Sequence, residues 1–313
     1  APPVENTTGF RDPYVWEQDG VWYMALGTGI RDQGGAAFLY RSEDLVSWEY
    51  LHLLDSGFGN MWECPNFFPI EDKHVLVVAP YNILRYAVGS YKNDRFERET
   101  PWRLLCLSDN RGFYASHTQL DAQGRRIVWG WITGPGSTGH PWNGMIALPR
   151  VVTLSKDNRL SVAPLPELAQ LRGGHVAFSD ILIEKDSPYV LEGVSGDAIE
   201  IDLTFDIGAS QSVGLDVLCS PDGEEKTRIV FDNYALTLAA GDQKGPFQLA
   251  PGETKMRLQV YVDRSVVEVF ANGRENIICR TYPARTDSKQ VRLFSSGDRS
   301  KVPQVDVWQL GSI

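Results

Sequence analysis

The sequence predicts an all-β protein in two parts, a set of β-propeller blades followed by a β-sandwich. Three observations carry the prediction. A four-strand pattern recurs about every fifty residues through the first half, short alternating strands fill the second, and turn residues punctuate both. With 313 residues, 42% hydrophobic and 22% charged, the chain has the balance of a folded globular protein of about two domains.

The repeat opens with Asp12-Pro13-Tyr14-Val15-Trp16, then Glu63-Cys64-Pro65-Asn66-Phe67-Phe68, then Tyr114-Ala115-Ser116-His117-Thr118, at the evenly stepped positions 12, 63 and 114. A polar turn and a second apolar stretch follow each opening: Glu17-Gln18-Asp19-Gly20 before residues 21–26, Glu71-Asp72-Lys73 before 74–78, and Asp121-Ala122-Gln123-Gly124 before 126–131. Two more strands complete each unit, at 37–41 and 48–54, at 86–91 and 102–107, and at 144–154 and 159–163. Four short strands joined by Asp, Gly and Asn turns make a propeller blade. A generic β-meander with coincidental spacing is the plain alternative. Propellers close with about four to eight blades, so three predict that the chain lacks N-terminal blades or that something else supplies them.

The texture changes after residue 163. Pro164 opens and Gly173-Gly174 closes a stretch that predicts a short helical linker. The expected organisation is therefore a propeller part at 1–164, a linker at 165–174 and a sandwich at 175–313. Within the last part, alternating strands are expected at 199–205, 257–262, 266–270 and 305–308. Asn272-Gly273 between two apolar runs is the sharpest hairpin signal in the chain.

Composition removes several classes of function. The net charge is −10, and no Lys/Arg cluster offers the basic footprint that phosphate backbones need, so a nucleic-acid partner is not expected. No apolar run approaches the length of a membrane span, and no membrane association is expected. The four cysteines, Cys64, Cys106, Cys219 and Cys279, lack C-x-x-C spacing and metal-ligand intervals with the five His. They read as buried free thiols, with no disulfide framework and no metal. No glycine-rich phosphate loop or nucleophile elbow occurs, so no cofactor is expected. The N-terminus has no basic or apolar leader pattern and reads as a processed or cut start, and Asn6-Thr7-Thr8 is a sequon usable only in a secreted chain. A soluble protein, secreted or cytoplasmic, fits these features. The 9 Trp, 12 Tyr and 13 Phe lean toward sugar binding, where indole faces lie against pyranose or furanose rings.

The innermost strand of each blade should line the central channel, and two of the three openings carry a carboxylate, Asp12 and Glu63, each shortly before a proline. Asp and Pro are poor strand residues, and residues that break local rules are expected at functional sites. Paired carboxylates at a channel mouth, with Trp16, Trp62 and Trp131 near in sequence, suit glycoside hydrolysis, which needs a proton donor and a second acid. Glu63 is the acid candidate, because Trp62, Cys64, Phe67 and Phe68 suggest an apolar setting that favours the neutral carboxyl. Asp12 follows Arg11, whose charge should keep it ionised, with the pair free to grip vicinal hydroxyls. A turn or capping role for Asp12 and Glu63 remains the alternative. Asp263-Arg264-Ser265 reads as a turn held by an ion pair, His117 and His140 as lone histidines, and Gly134-Pro135-Gly136-Ser137 before Trp142-Asn143-Gly144 as a loop at the channel rim.

Phe10-Arg11-Asp12-Pro13 and Trp62-Glu63-Cys64-Pro65 resemble the Arg-Asp-Pro and Glu-Cys motifs of glycoside hydrolase family 32, which contains invertases, inulinases and levanases. Phe113-Tyr114-Ala115-Ser116, Gly130-Trp131, Ala147-Leu148-Pro149-Arg150 and the stretch from Val262-Asp263-Arg264 to Val269-Phe270 resemble further family motifs in order along the whole chain. The resemblance implies a five-bladed propeller, represented here by three blades, then a β-sandwich, and retaining hydrolysis of β-fructofuranosides such as sucrose or fructans. It implies Glu63 as general acid/base, Asp12 as transition-state stabiliser holding fructosyl hydroxyls, and Arg11 beside it as a substrate-binding residue. The family's nucleophilic Asp stands in a Trp-Met-Asn-Asp-Pro-Asn-Gly motif that has no counterpart here, since Trp142-Asn143-Gly144 lacks the acid. The sequence therefore implies part of an enzyme completed by an N-terminal polypeptide, or else a non-catalytic fructan-binding or vestigial homologue closed by homo-oligomerisation.

Overall fold

The computed structural model describes residues 2–81, 83–108, 112–134 and 142–312. His140 and residues 135–137 of the rim loop lie outside the described residues. The chain divides into two compact units, Ala1–Leu105 with Phe113–Ser161, and Cys106–Gly112 with Val162–Ile313.

Among the described residues the first unit is built from three antiparallel sheets, the propeller blades. The first orders its strands Thr7–Gln18, Val21–Ile30, Gly34–Ser42 and Glu49–Ser56. The second orders Glu63–Ile70, Lys73–Ala79, Arg85–Lys92 and Arg95–Arg98, with Arg103–Leu104 also paired to the third of these. The third orders Tyr114–Leu120, Arg126–Thr133, Arg150–Leu154 and Leu160–Pro164, with Gly144–Ile146 on the second. Two expectations need correction. The second blade takes its fourth strand from Arg95–Arg98, whose charged residues hid a strand with only Phe96 turned inward; residues 102–107 yield just Arg103–Leu104. Residues 144–154 are two strands, because Pro149 cannot donate to a ladder.

Alternation in the strands decides what packs where. Tyr14, Ala25, Ala37 and Leu39 of the first blade share a core with Trp62, Phe67, Leu76 and Val78 of the second, while Leu26, Ala36, Phe38 and Tyr40 fill the opposite face of the first blade. Close approach between the first two blades depends on Gly27. A Cβ there would lie 2.4 Å from the Trp62 carbonyl oxygen, 3.2 Å from that of Arg11 and 3.2 Å from Pro65 Cδ.

Each innermost strand carries the same irregularity. The ladder shifts register between Arg11 and Pro13, between Glu63 and Asn66, and between Tyr114 and His117. At each shift one residue is left-handed: Asp12 with φ 59°, Cys64 with φ 44° and Ala115 with φ 46°. Left-handed backbone costs a non-glycine residue about 1 kcal/mol or more and persists only where the surroundings enforce it. These are β-bulges, which re-aim side chains.

The second unit is a sandwich of two six-stranded sheets. One orders Arg172–Ile183, Ser300–Leu310, Ala198–Asp206, Lys255–Asp263, Val266–Ala271 and Glu275–Arg280; the other orders Tyr189–Val190, Gln290–Ser296, Ser212–Cys219, Thr227–Asp232, Thr237–Ala240 and Gln243–Pro246. Ile199, Ile201, Leu203, Val260 and Val267 from the first sheet meet Val213, Leu215, Ile229, Phe231 and Leu293 from the second in one dry core. A short 3₁₀ helix, Pro166–Leu171, leads into the unit. The Asn272-Gly273 hairpin forms with both residues at positive φ, closed by the Arg274 N–H on the Ala271 carbonyl at 3.0 Å. At the turn after Asp263, Arg264, at φ 50°, donates its N–H to the Asp197 carbonyl at 2.6 Å and so ties the turn to the neighbouring strand that begins at Ala198; among the described residues the expected Asp263–Arg264 ion pair does not form.

All four cysteines are free, three of them buried and Cys64 half-buried. Among the described residues no helix is long and apolar enough to cross a membrane, and no three His, Cys, Asp or Glu side chains gather as a metal site.

Candidate active site

The bulges of the three inner strands bring their equivalent residues together. Structurally, Arg11, Glu63 and Tyr114 occupy the same place, one residue before the left-handed position. The guanidinium of Arg11 donates through Nη2 to Glu63 Oε1 at 2.5 Å, and the Tyr114 hydroxyl donates to Glu63 Oε2. The Tyr114 hydroxyl also lies 3.3 Å from the Ala79 carbonyl oxygen. A single carboxylate thus receives a cation on one oxygen and a phenol on the other.

Asp12 reaches the same cluster from the first blade. Its Oδ2 accepts the Cys64 backbone N–H at 3.1 Å and faces the Cys64 thiol at 3.7 Å. Arg11 Nε stands 3.9 Å away, so the guanidinium spends its short hydrogen bond on Glu63 and only flanks Asp12. The expected Arg11–Asp12 pair is thus present as a long contact beside the shorter bond to Glu63. Side-chain exposure falls from 44% at Arg11 through 33% at Asp12 to 18% at Glu63, which leaves the carboxylates open to a small ligand.

The charges act on their neighbours. Burial, then the negative charges of Asp12 and Glu63, push the Cys64 thiol up to about 12, so it stays protonated and does not act as a thiolate. The hydrogen bond to Glu63 is the main cause that raises Arg11 above its usual range, with the Tyr81 phenol adding to it.

The apolar setting expected for Glu63 is not what surrounds it. Trp62 is fully buried, with its Nε1–H on the Phe58 carbonyl at 2.9 Å and its backbone N–H on the Thr28 carbonyl at 3.0 Å, so it anchors the strand from behind. Phe67 packs with Trp16 in the core between blades. Adjacent residues of a strand point to opposite faces, so the sequence neighbours of Glu63 are poor guides to its spatial ones. Trp16 stacks on Tyr23, whereas Trp131 stays 40% exposed on the strand beside Tyr114. His117 packs edge-on against Tyr14 at 5.5 Å, and Asp263 and Arg264 belong to the second unit. Tyr114 was the missed partner. Its signal was present, since it opens the third repeat at the place where Glu63 opens the second.

A model of the N-terminal domain of glycosyl hydrolases family 32 matches residues 1–164, and a model of the family's C-terminal domain matches residues 167–309. The chain belongs to glycosyl hydrolase family 32. Among the relatives of this family member is a sucrose-6-phosphate hydrolase from Vibrio alginolyticus, 32% identical over 296 residues that cover 86% of the chain and 59% of the relative. Another is the insoluble isoenzyme 4 of beta-fructofuranosidase from Oryza sativa subsp. japonica, 28% identical over 98% of the chain and 66% of the relative. The chain thus spans about two thirds or less of the length of these relatives. The crystal structure of fructan 1-exohydrolase IIa from Cichorium intybus superposes with a TM-score of 0.90 at 22% identity, over 99% of the chain and 74% of that structure. This likeness establishes the propeller-and-sandwich fold of the family 32 chain.

Proposed function

We propose that this family 32 chain hydrolyses β-fructofuranosides, sucrose or a fructan, by a retaining mechanism with Glu63 as general acid/base. The observation that carries the reading is the cluster in which Arg11 and Tyr114 hold the Glu63 carboxylate while Asp12 is tied to the residue after it. The names of the relatives, a sucrose-6-phosphate hydrolase, a beta-fructofuranosidase and a fructan 1-exohydrolase, support the same substrate class.

In this reading Asp12 accepts hydrogen bonds from fructosyl hydroxyls and offsets positive charge as the glycosidic bond lengthens. Glu63 gives its proton to the leaving oxygen as the bond to the anomeric carbon breaks, and a second carboxylate attacks that carbon from the opposite face. Glu63 then removes a proton from water, which displaces the carboxylate and restores both groups. Arg11 lies beside both acids and orients Glu63. In this reading the attacking carboxylate is supplied by a complementary N-terminal polypeptide.

The test is Glu63→Gln, which keeps the shape and removes the proton. Turnover of sucrose or a fructo-oligosaccharide should fall by about 10²–10⁴-fold, with calorimetric binding retained. Unchanged turnover overturns the acid/base role. Fructan binding without turnover, by the unmodified protein supplied with the complementary N-terminal polypeptide, replaces the reading with a non-catalytic, sugar-binding one.

A further inference from the structure

Three residues beyond Glu63 stands an asparagine in the middle of an apolar strand, a place that suits its amide badly. Asn66 is 1% exposed, and a buried carboxamide is costly unless its donors and acceptor are matched. They are matched with economy. Nδ2 donates to the Cys64 carbonyl at 3.0 Å and to the Ser116 carbonyl at 2.9 Å, and Oδ1 accepts the Thr118 N–H at 2.8 Å. One bond stays within the second blade, on the left-handed residue that follows Glu63. The other two cross to the third blade, beside the left-handed Ala115 that follows Tyr114.

We propose that Asn66 is a positioning residue whose carboxamide locks the bulge presenting Glu63 to the bulge presenting Tyr114, and so sets the phenol on the carboxylate. The function of that lock rests on the reading of Glu63 as acid/base. A carboxamide is the side chain that serves: it offers two donors to two carbonyls and one acceptor to an N–H on a stem short enough for the strand. Carboxylate fails on the donor side, since it would turn a lone pair toward two carbonyl oxygens. An aliphatic side chain fails on both sides and leaves Ser116 and Cys64 carbonyls without this donor.

The experiment compares the unmodified chain with Asn66→Asp, which keeps the acceptor for Thr118 and loses both donors, and with Asn66→Leu, which loses all three bonds. The first readout needs no turnover: alkylation of each cysteine by iodoacetamide, followed by peptide mass spectrometry. Cys64 should react several-fold faster in both variants, while Cys106, Cys219 and Cys279 keep their rates. The second readout is hydrolysis of sucrose, in which kcat should fall by about 10- to 100-fold with KM little changed and the pH profile displaced. Cys64 alkylation and a pH profile both equal to those of the unmodified chain overturn the proposal. So does acceleration of all four thiols together, which means general loosening. If the leucine variant fails to fold, the near-isosteric aspartate variant decides. If the unmodified chain supplied with the complementary N-terminal polypeptide does not hydrolyse sucrose, the reading of Glu63 fails, whereas the alkylation pattern still supports or overturns the lock.

Discussion

Gly27→Ala tests how the first blade holds the acidic strand of the second. Gly27 lies opposite Arg11 in the ladder of the first blade and outside the left-handed region, so alanine is acceptable to its backbone. The difficulty is space. The added methyl would stand 2.4 Å from the Trp62 carbonyl oxygen, whereas non-bonded heavy atoms settle about 3.5 Å apart, so the strand entering Glu63 must retreat by about 1 Å. Trp62 cannot absorb that motion, because its ring is buried and both of its N–H groups are committed. Overpacking of this kind costs about 1–3 kcal/mol, and a displacement of about 1 Å at an acid/base costs about 10²-fold in turnover. Urea unfolding measures the first figure and kcat/KM on sucrose the second. Gly20→Ala is the control. Its methyl meets nothing within 4 Å, so it should cost only about 1 kcal/mol for its left-handed φ of 78° and leave turnover unchanged. A Gly27→Ala protein that unfolds at the unmodified midpoint and turns over normally would refute the claim that this contact places Glu63.

Two further outcomes follow from buried polar groups. Burial between Phe67 and Tyr91 pushes His74 down to about 4, so the folded state keeps the ring neutral while the unfolded chain takes up a proton below its own value near 6.5. Stability should therefore fall as pH drops from about 6.5 toward 4, by about 2 kcal/mol after allowance for partial exposure, and His74→Phe should flatten that dependence in urea titrations. In the sandwich, the fully buried Glu200 accepts Arg172 at 2.8 and 2.6 Å and the Tyr261 hydroxyl at 3.1 Å. Glu200→Ala leaves that guanidinium and phenol without their acceptor and should lower the unfolding free energy by about 3–5 kcal/mol in chemical denaturation.

Much of this architecture was readable before any coordinates. The stepped openings at 12, 63 and 114 located the three inner strands, and the Asn272-Gly273 pair located a hairpin, because periodicity and turn chemistry are local properties. Asp12 and Glu63 were singled out as local misfits, and the fold does bring them together. The phase of the repeat was not readable. Bulges place the left-handed residues at 12, 64 and 115, which pairs Glu63 with Arg11 and Tyr114 instead of aligning it with Asp12. A bulge adds a residue and so shifts the in-and-out alternation by one step, from residues 7 and 9 to 12, 14 and 16 in the first strand, which a fixed-period reading does not follow. The strand Arg95–Arg98 was missed because its ends are charged and only one side chain turns inward. The apolar surroundings assigned to Glu63 came from its chain neighbours, which the pleat sends elsewhere.

The recurring left-handed residue has a consequence for how this molecule can change. It makes positions 11, 63 and 114 three copies of one socket: the same backbone mount, fitted with a cation, an acid and a phenol. What differs between the blades at this depth is the fitting, while the mount stays constant. Chemistry at this cluster can therefore be rewritten by exchanging side chains among the sockets, with the strand pairing beneath them undisturbed.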